Sequence, residues 1–129
     1  MGQIKIYGLA NSLNPIKSKM SAVIHLCMVE AFKFPEDKKF HRYFPLNCDD
    51  FYYPENRTKK YTIIELSIFE GRSIEAKKKF LCLLYSKFKD QLGIDENDLE
   101  ITIFETPKVN WGIRGLPGDE LKLDYIVSI

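Results

Sequence analysis

The sequence predicts an α+β fold in which two β-α-β units, related by a pseudo-two-fold, share one four-stranded mixed sheet. Both helices lie on one face, and a short C-terminal strand completes the chain. Three observations predict it. Strand-like segments at Gln3–Leu9 and Tyr61–Phe69 each lead into a long amphipathic stretch, Pro15–Phe34 and Ser73–Leu92. Each stretch ends in a turn, Pro35-Glu36-Asp37 and Gly93–Asp98, followed by a second strand, Lys39–Phe44 and Leu99–Phe104. The order recurs after about sixty residues, and self-similarity on that scale points to a repeated supersecondary unit. Parallel strands joined by one helix form a right-handed unit, and two units can share a sheet with their helices in one layer. A two-fold between them makes the first strands antiparallel. Gly2, the turn holding Asp37 and the segment Gly71-Arg72-Ser73 then gather at one end of the sheet.

Each element has a local reason. Gln3-Ile4-Lys5-Ile6-Tyr7 alternates polar and apolar residues, as a half-buried strand does. Asn14 is placed to cap a helix that has Pro15 at its first position. Ile16, Met20, Ile24, Cys27, Met28 and Ala31 share one face of that helix, and Pro35 stops it. The polar stretch Asn47–Lys60 carries Phe51-Tyr52-Tyr53, more aromatic surface than a bare linker holds, and reads as an ordered loop. In the second unit Ser73 is the N-cap, Glu75 complements the helix dipole, and Gly93 ends the helix. Phe80, Leu84, Phe88 and Leu92 recur every fourth residue on its inner face. Thr106–Gly118 reads as a loop carrying Trp111 and Arg114, and Leu121–Ile129 alternates again as a closing strand.

These elements form a single domain spanning 1–129. The first unit covers about 3–46, the connecting loop 47–60, the second unit 61–105, and the loop with the last strand 106–129. Hydrophobic residues at 45% and charged residues at 29% describe a globular domain rather than a disordered chain. Nineteen Lys+Arg against 18 Asp+Glu leave a net charge of +1, so no long-range field draws the chain to nucleic acid or to a membrane. No apolar run approaches the ~18 residues of a membrane span, and the start carries no signal-peptide pattern. Cys27, Cys48 and Cys82 are odd in number and lack CxxC spacing, which fits reduced thiols in a cytoplasmic protein. P-loop, GxGxxG, GxSxG and HExxH motifs are all absent, which removes the common nucleotide, hydrolase and zinc-protease readings. His25 and His41 have no metal-ligand partner at useful spacing and read as a helix-face and a strand position.

Chemistry concentrates in a few residues. Arg72 follows a strand, sits beside Gly71 and precedes a capped helix start. It reads either as a clamp gripping a small carboxylate through two parallel hydrogen bonds or as a surface partner of Glu70 or Glu75. Asp37 reads as a general base near the same strand end or as a turn carboxylate. Trp111 and Arg114 could wall a pocket with an aromatic face and a second cation, or anchor a core or subunit interface. Tyr52, Tyr53 and Arg57 could line the same cavity or an interface.

The doubled plan, the run from Tyr61-Thr62-Ile63-Ile64-Glu65 through Gly71-Arg72-Ser73, and Trp111-Gly112-Ile113-Arg114-Gly115 together resemble the tautomerase superfamily, whose fold is that of macrophage migration inhibitory factor. The resemblance covers nearly the whole chain. Its length and the positions of Asp37 and Arg72 resemble the longer-chain branch that includes malonate semialdehyde decarboxylase. What the resemblance implies is a homotrimer of β-α-β-β-α-β subunits, no cofactor and no metal, acting on a small oxo- or enol-carboxylate. Active members use an amino-terminal proline, exposed by removal of Met, as base or acid. The resemblance also implies catalytic roles for Asp37 and Arg72 and a pocket-wall place for Trp111; the expected catalytic residues are then Gly2, Asp37 and Arg72, and the expected substrate-binding residues are Arg72, Trp111, Arg114 and Tyr53. The chain departs from the pattern at two positions, with Gly2 where the proline would stand and Glu70 where a second arginine would stand. Glu70 would repel a substrate carboxylate, which argues against decarboxylation. Removal of Met1 would give Gly2 a primary amine with an ordinary pKa of about 7.7–8.0, able to act as a base without a ring to aim it. The expected function is therefore keto–enol tautomerisation by proton transfer α to a carbonyl. Its alternative is a non-catalytic member that binds a metabolite or a protein partner.

Overall fold

The computed structural model describes residues 2–123 and 126–128. Strand β1 (Gly2–Leu9) alternates buried and half-buried residues along its whole length, with Ile4 and Ile6 directed into the core. It pairs in parallel with β2 (His41–Leu46) and antiparallel with β3 (Thr62–Phe69), and β3 pairs in parallel with β4 (Leu99–Thr106). The sheet order is β2-β1-β3-β4. Ile4 pairs with His41 and Ile64 with Ile101, so one 37-residue separation serves both parallel pairs after a shift of 60. Between β1 and β3, Gly2 faces Ile68 and Gly8 faces Thr62, which the same two-fold exchanges.

Helices α2 (Lys17–Phe32) and α3 (Ile74–Lys87) cover one face of this sheet. Between them and the strands lies a core that includes Ile4, Ile6, Met20, Ile24, Ile64, Leu66, Phe80 and Leu84. The rings of Phe32 and Phe80 meet across the helix pair with centroids 5.1 Å apart. The odd-numbered residues of β1 point to the other face, which no helix covers.

The first helix differs from its expected span. A short helix α1 (Ala10–Leu13) comes first, and its Leu13 is buried at the end of the sheet. Asn14 does not cap α2. Its N–H closes the α1 turn on the Ala10 carbonyl (3.0 Å), and its side-chain oxygen accepts from Lys17 Nζ (3.1 Å). Pro15, with no N–H to offer, occupies the break between the two helices. The second unit follows its local signals closely. The Ser73 hydroxyl accepts from the Ala76 N–H at 3.1 Å, α3 widens into a π-turn (Phe88–Leu92), and Gly93 ends it with φ 65°.

The connecting loop is pinned at several points. Phe51, Tyr53 and Tyr61 pack ring to ring, and the buried Asp98 carboxylate accepts from the Thr58 N–H (2.8 Å) and hydroxyl. Within Thr106–Gly118, β5 (Gly112–Ile113) and β6 (Leu116–Pro117) form a small hairpin. The expected strand Leu121–Ile129 is not formed by the described residues 121–123 and 126–128; its residues 124, 125 and 129 lie outside the described residues. Val127 is instead buried against Gly71, so its apolar contact is with the strand-to-helix turn and not with a sheet edge. All three cysteines are free thiols, and burial pushes the Cys27 thiol up to about 12.

Candidate active site

The end of the sheet where β1 begins and β3 and β4 finish holds most of the residues singled out above. Gly2 is buried and faces the helix layer. A Cβ added there would lie 3.0 Å from the Met28 methyl, 3.4 Å from the Phe34 ring and 3.5 Å from Ile68. Three residues beyond Phe34, Asp37 stands exposed in a turn closed by a Lys38 N–H to Pro35 carbonyl bond of 3.2 Å. The strand that follows comes alongside β1 at once, since Ile4 donates to the Phe40 carbonyl at 2.9 Å. Arg72 belongs to the same end but is only 5% exposed. Its guanidinium donates to the Phe69 carbonyl (3.1 Å) and lies 5.5 Å from the Phe32 ring centroid, a cation–π distance. A surface pairing with Glu70 or Glu75 is not what holds it. Glu70 is exposed and is tied through its backbone N–H to the Thr106 carbonyl (3.0 Å).

A cavity of about 560 Å³ opens at this end on the helix-free face. Gln3, Lys5, Glu65, Ser67, Phe104 and Trp111 are among its lining residues. Trp111 therefore stands at a pocket wall. Its ring meets Phe69 edge-on at 5.2 Å, and its carbonyl accepts from the Gly118 N–H at 2.7 Å. Arg114 does not join it. With φ 50°, followed by Gly115 at 86°, it forms the exposed tip of the β5–β6 hairpin, a turn that requires two left-handed residues. Tyr53 lies at the opposite end, because the loop carrying it returns the chain from the end of β2 to the start of β3. The length of β1, about 25 Å, separates the two ends. Gly2, Asp37 and Arg72 are not among its lining residues.

Sequence reasoning passed over Lys5, Glu65 and Ser67. Lys5 pairs directly with Glu65 across the β1–β3 ladder. The two acids at the cavity are otherwise engaged. Glu65 Oε1 accepts from the Tyr7 hydroxyl at 2.6 Å, which raises the tyrosine's pKa, and Glu105 is bridged to Lys77 at 2.7 Å. Lys5 is thus the cation most available to a ligand there. The alternation of Gln3, Lys5 and Tyr7 was the signal for a shared face, but only the sheet shows that this face holds a cavity.

A second polar cluster sits between α2 and the edge strand β2. Tyr43 donates to the Lys17 carbonyl (2.8 Å), which leaves its oxygen to accept from Ser21 (2.6 Å). The Ser21 proton is then committed, so His41 must donate its Nδ1–H to Ser21 Oγ (2.9 Å). Burial, aided by the neighbouring His25 and Lys39, pushes His41 down to about 4. Among the described residues no group of three or more His, Cys, Asp or Glu could hold a metal ion, and no helix is long and apolar enough to cross a membrane.

A family model described as "Tautomerase enzyme" matches residues 38–114. The chain belongs to the tautomerase family. Among curated relatives, the probable tautomerase YrdN of Bacillus subtilis (strain 168) is 29% identical over 98 residues, covering 72% of this chain and 75% of that protein. Among solved structures, malonate semialdehyde decarboxylase superposes with a TM-score of 0.80 at 19% identity, covering 92% of this chain and 99% of the other. R7 fused 4-OT, described as an asymmetric trimer, gives 0.79 at 15% identity over 91% and 96%. At those identities the structures establish the tautomerase fold, with its four-stranded mixed sheet and helices on one face.

Proposed function

We propose that this tautomerase-family protein moves a proton α to the carbonyl of a small oxo- or enol-carboxylate. The observation that carries the reading is the cavity at the start of β1, walled by Trp111 and Phe104, on the sheet end that family membership makes significant. The amine of Gly2, freed of Met1, is the proton carrier, and Asp37 orients or relays the proton. Arg72, which belongs to the same end of the sheet, is the proposed carboxylate partner beside Lys5, the cation among the cavity's lining residues. Trp111 supplies an apolar wall against which a planar enol can lie. A homotrimer completes the site by covering the helix-free face, where Phe44 and Phe104 stand exposed. Arg114 and Tyr53 can serve the cavity only from a neighbouring protomer.

The direct test is an enolpyruvate-type tautomerisation assay on protein whose N-terminus has been read by mass spectrometry. Arg72→Ala is expected to lower kcat/KM by roughly tenfold or more, the worth of a charge-assisted hydrogen bond. Activity unchanged in that variant removes the role given to Arg72.

One observation favours a second reading, a binding protein without turnover. A Cβ at position 2, as a proline would carry, crowds the Met28 methyl at 3.0 Å and touches the Phe34 ring at 3.4 Å. Absence of turnover in Met-free protein, together with thermal stabilisation by small carboxylates, would select it.

A further inference from the structure

The two-fold that relates the halves of the sheet also relates its two ends, but the ends are not filled alike. Position 68 in β3 is isoleucine, fully buried opposite Gly2. Its counterpart after the shift of 60 is Gly8, opposite Thr62. Where Ile68 fills the core from its own strand, Leu13 packs over Gly8 instead, and a cavity of about 230 Å³ remains beside it. Leu13, Ile16 and Met20 wall it from the first unit, and Leu92 and Ile94 from the second. Nothing in the backbone demands glycine here. Gly8 is not among the residues with positive φ, and a Cβ would make only ordinary contact, 3.5 Å from Leu13. A strand glycine often marks a close approach, here by Leu13 of α1, with the cavity beside it.

Ser12 and Lys60 are the residues among its lining with a hydroxyl or an ammonium left for a ligand. Lys60 Nζ donates to the Gly93 carbonyl at 3.1 Å, which uses one of its three N–H bonds. The Thr62 hydroxyl is committed to the Lys60 carbonyl at 2.9 Å and is no partner for a ligand. An apolar cavity of about 150 Å³ is enough to bind benzene, so this one has room for a ring and a carboxylate. A concave, mostly apolar site with few polar groups at its mouth is the usual form of a small-molecule site.

We propose that this cavity is a second binding site, independent of the tautomerase site, for a monocyclic aromatic or branched short-chain carboxylate. The apolar body of the ligand lies among Leu13, Met20 and Ile94, and its carboxylate meets Lys60. The site binds without proton transfer from a chain amine, because the residue equivalent to Gly2 in the second unit is Thr62, whose nitrogen is an ordinary peptide N–H within a strand.

The test is a titration of ¹⁵N-labelled full-length protein with benzoate and with neutral toluene. Benzoate is expected to shift the amides of Gly8, Leu13, Thr62 and Ile94. Gly8→Val fills the cavity with a good strand former and should abolish those shifts for both probes. Lys60→Met should weaken benzoate by roughly tenfold while leaving toluene unchanged. Nuclear Overhauser contacts from the bound ring to the Leu13 and Ile94 methyls test the site in the unaltered protein, should Gly8→Val fail to fold. Three results overturn the proposal: no shifts with either probe, shifts centred instead on Gln3, Ser67 and Thr106, or undiminished binding in a folded Gly8→Val variant.

Discussion

Acidification should destabilise this protein through His41 well before most of its carboxylates titrate. The neutral ring donates Nδ1–H into the chain Ser21, Tyr43, Lys17 carbonyl, and the cation would keep that same donor. Protonation at Nε2 therefore adds no hydrogen bond to this chain. It only places charge in a partly buried site beside His25 and Lys39. The folded pKa of about 4 lies below the ordinary histidine value of 6.5, so the unfolded chain takes up the proton first. Stability is then fully present above about pH 6.5 and lost as pH falls toward 4. At 1.36 kcal/mol per pKa unit the gap sets a ceiling of roughly 3 kcal/mol. Partial exposure of the ring brings the expected loss to about 1–2 kcal/mol. The assay is urea unfolding at several pH values between 7.5 and 4.5, comparing wild type with His41→Asn, which keeps an amide donor toward Ser21 but cannot titrate. Carboxylates titrate in both proteins and cancel in the difference. Stability curves that run parallel across this range would refute the reasoning.

Other perturbations test the packing around the two sheet ends. Met28→Ala should make room for Gly2→Pro, and the double variant should turn over enolpyruvate-type substrate faster than Met28→Ala alone. Met28 is only 2% exposed, so the single change costs about 2–5 kcal/mol, readable in a thermal melt. Gly118→Ala brings a Cβ to 2.5 Å from the Lys108 carbonyl and 3.1 Å from the Phe69 ring, which supports Trp111. It should lose about 1–3 kcal/mol and alter Trp111 fluorescence, whereas an unchanged urea midpoint contradicts the packing. Asp98→Ala leaves the Thr58 N–H without its acceptor and should cost about 1–3 kcal/mol, with faster amide exchange in the connecting loop.

Local chemistry explains why some features were readable in advance and others were not. Ser73, Glu75 and Gly93 delimit the second helix because capping, dipole and left-handed termination act within a few residues. Asn14-Pro15 carries a sound start signal as well, yet burial of Leu13 draws the preceding residues into α1 and leaves Pro15 at a break. That outcome depends on a contact no short segment contains. For Trp111 the sequence left a pocket wall and a core or interface anchor level, because a lone tryptophan in a Gly/Pro loop needs only somewhere to bury its ring; the structure sets it against Phe69 in the cavity lining. Arg114, three residues on, was not legible, since its place at an exposed tip follows from the hairpin's two left-handed residues.

The sequence by itself determined the duplicated β-α-β plan and the mixed sheet with its helices on one face, because periodicity and caps are short-range and repeat in both halves; the tautomerase family was a resemblance in its motifs, which the family match over residues 38–114 establishes. Only the tertiary structure decided which faces and ends of that sheet are filled. Opposite Gly2 stands Ile68, and at the position related to it stands Gly8, so on the helix side a strand residue fills one end while Leu13 covers the other and leaves a cavity beside it. Lys5 meets Glu65 beside a cavity through pairing between strands 60 residues apart. Register and burial are set by partners distant in the chain, and they are properties of the assembled sheet rather than of any segment in it.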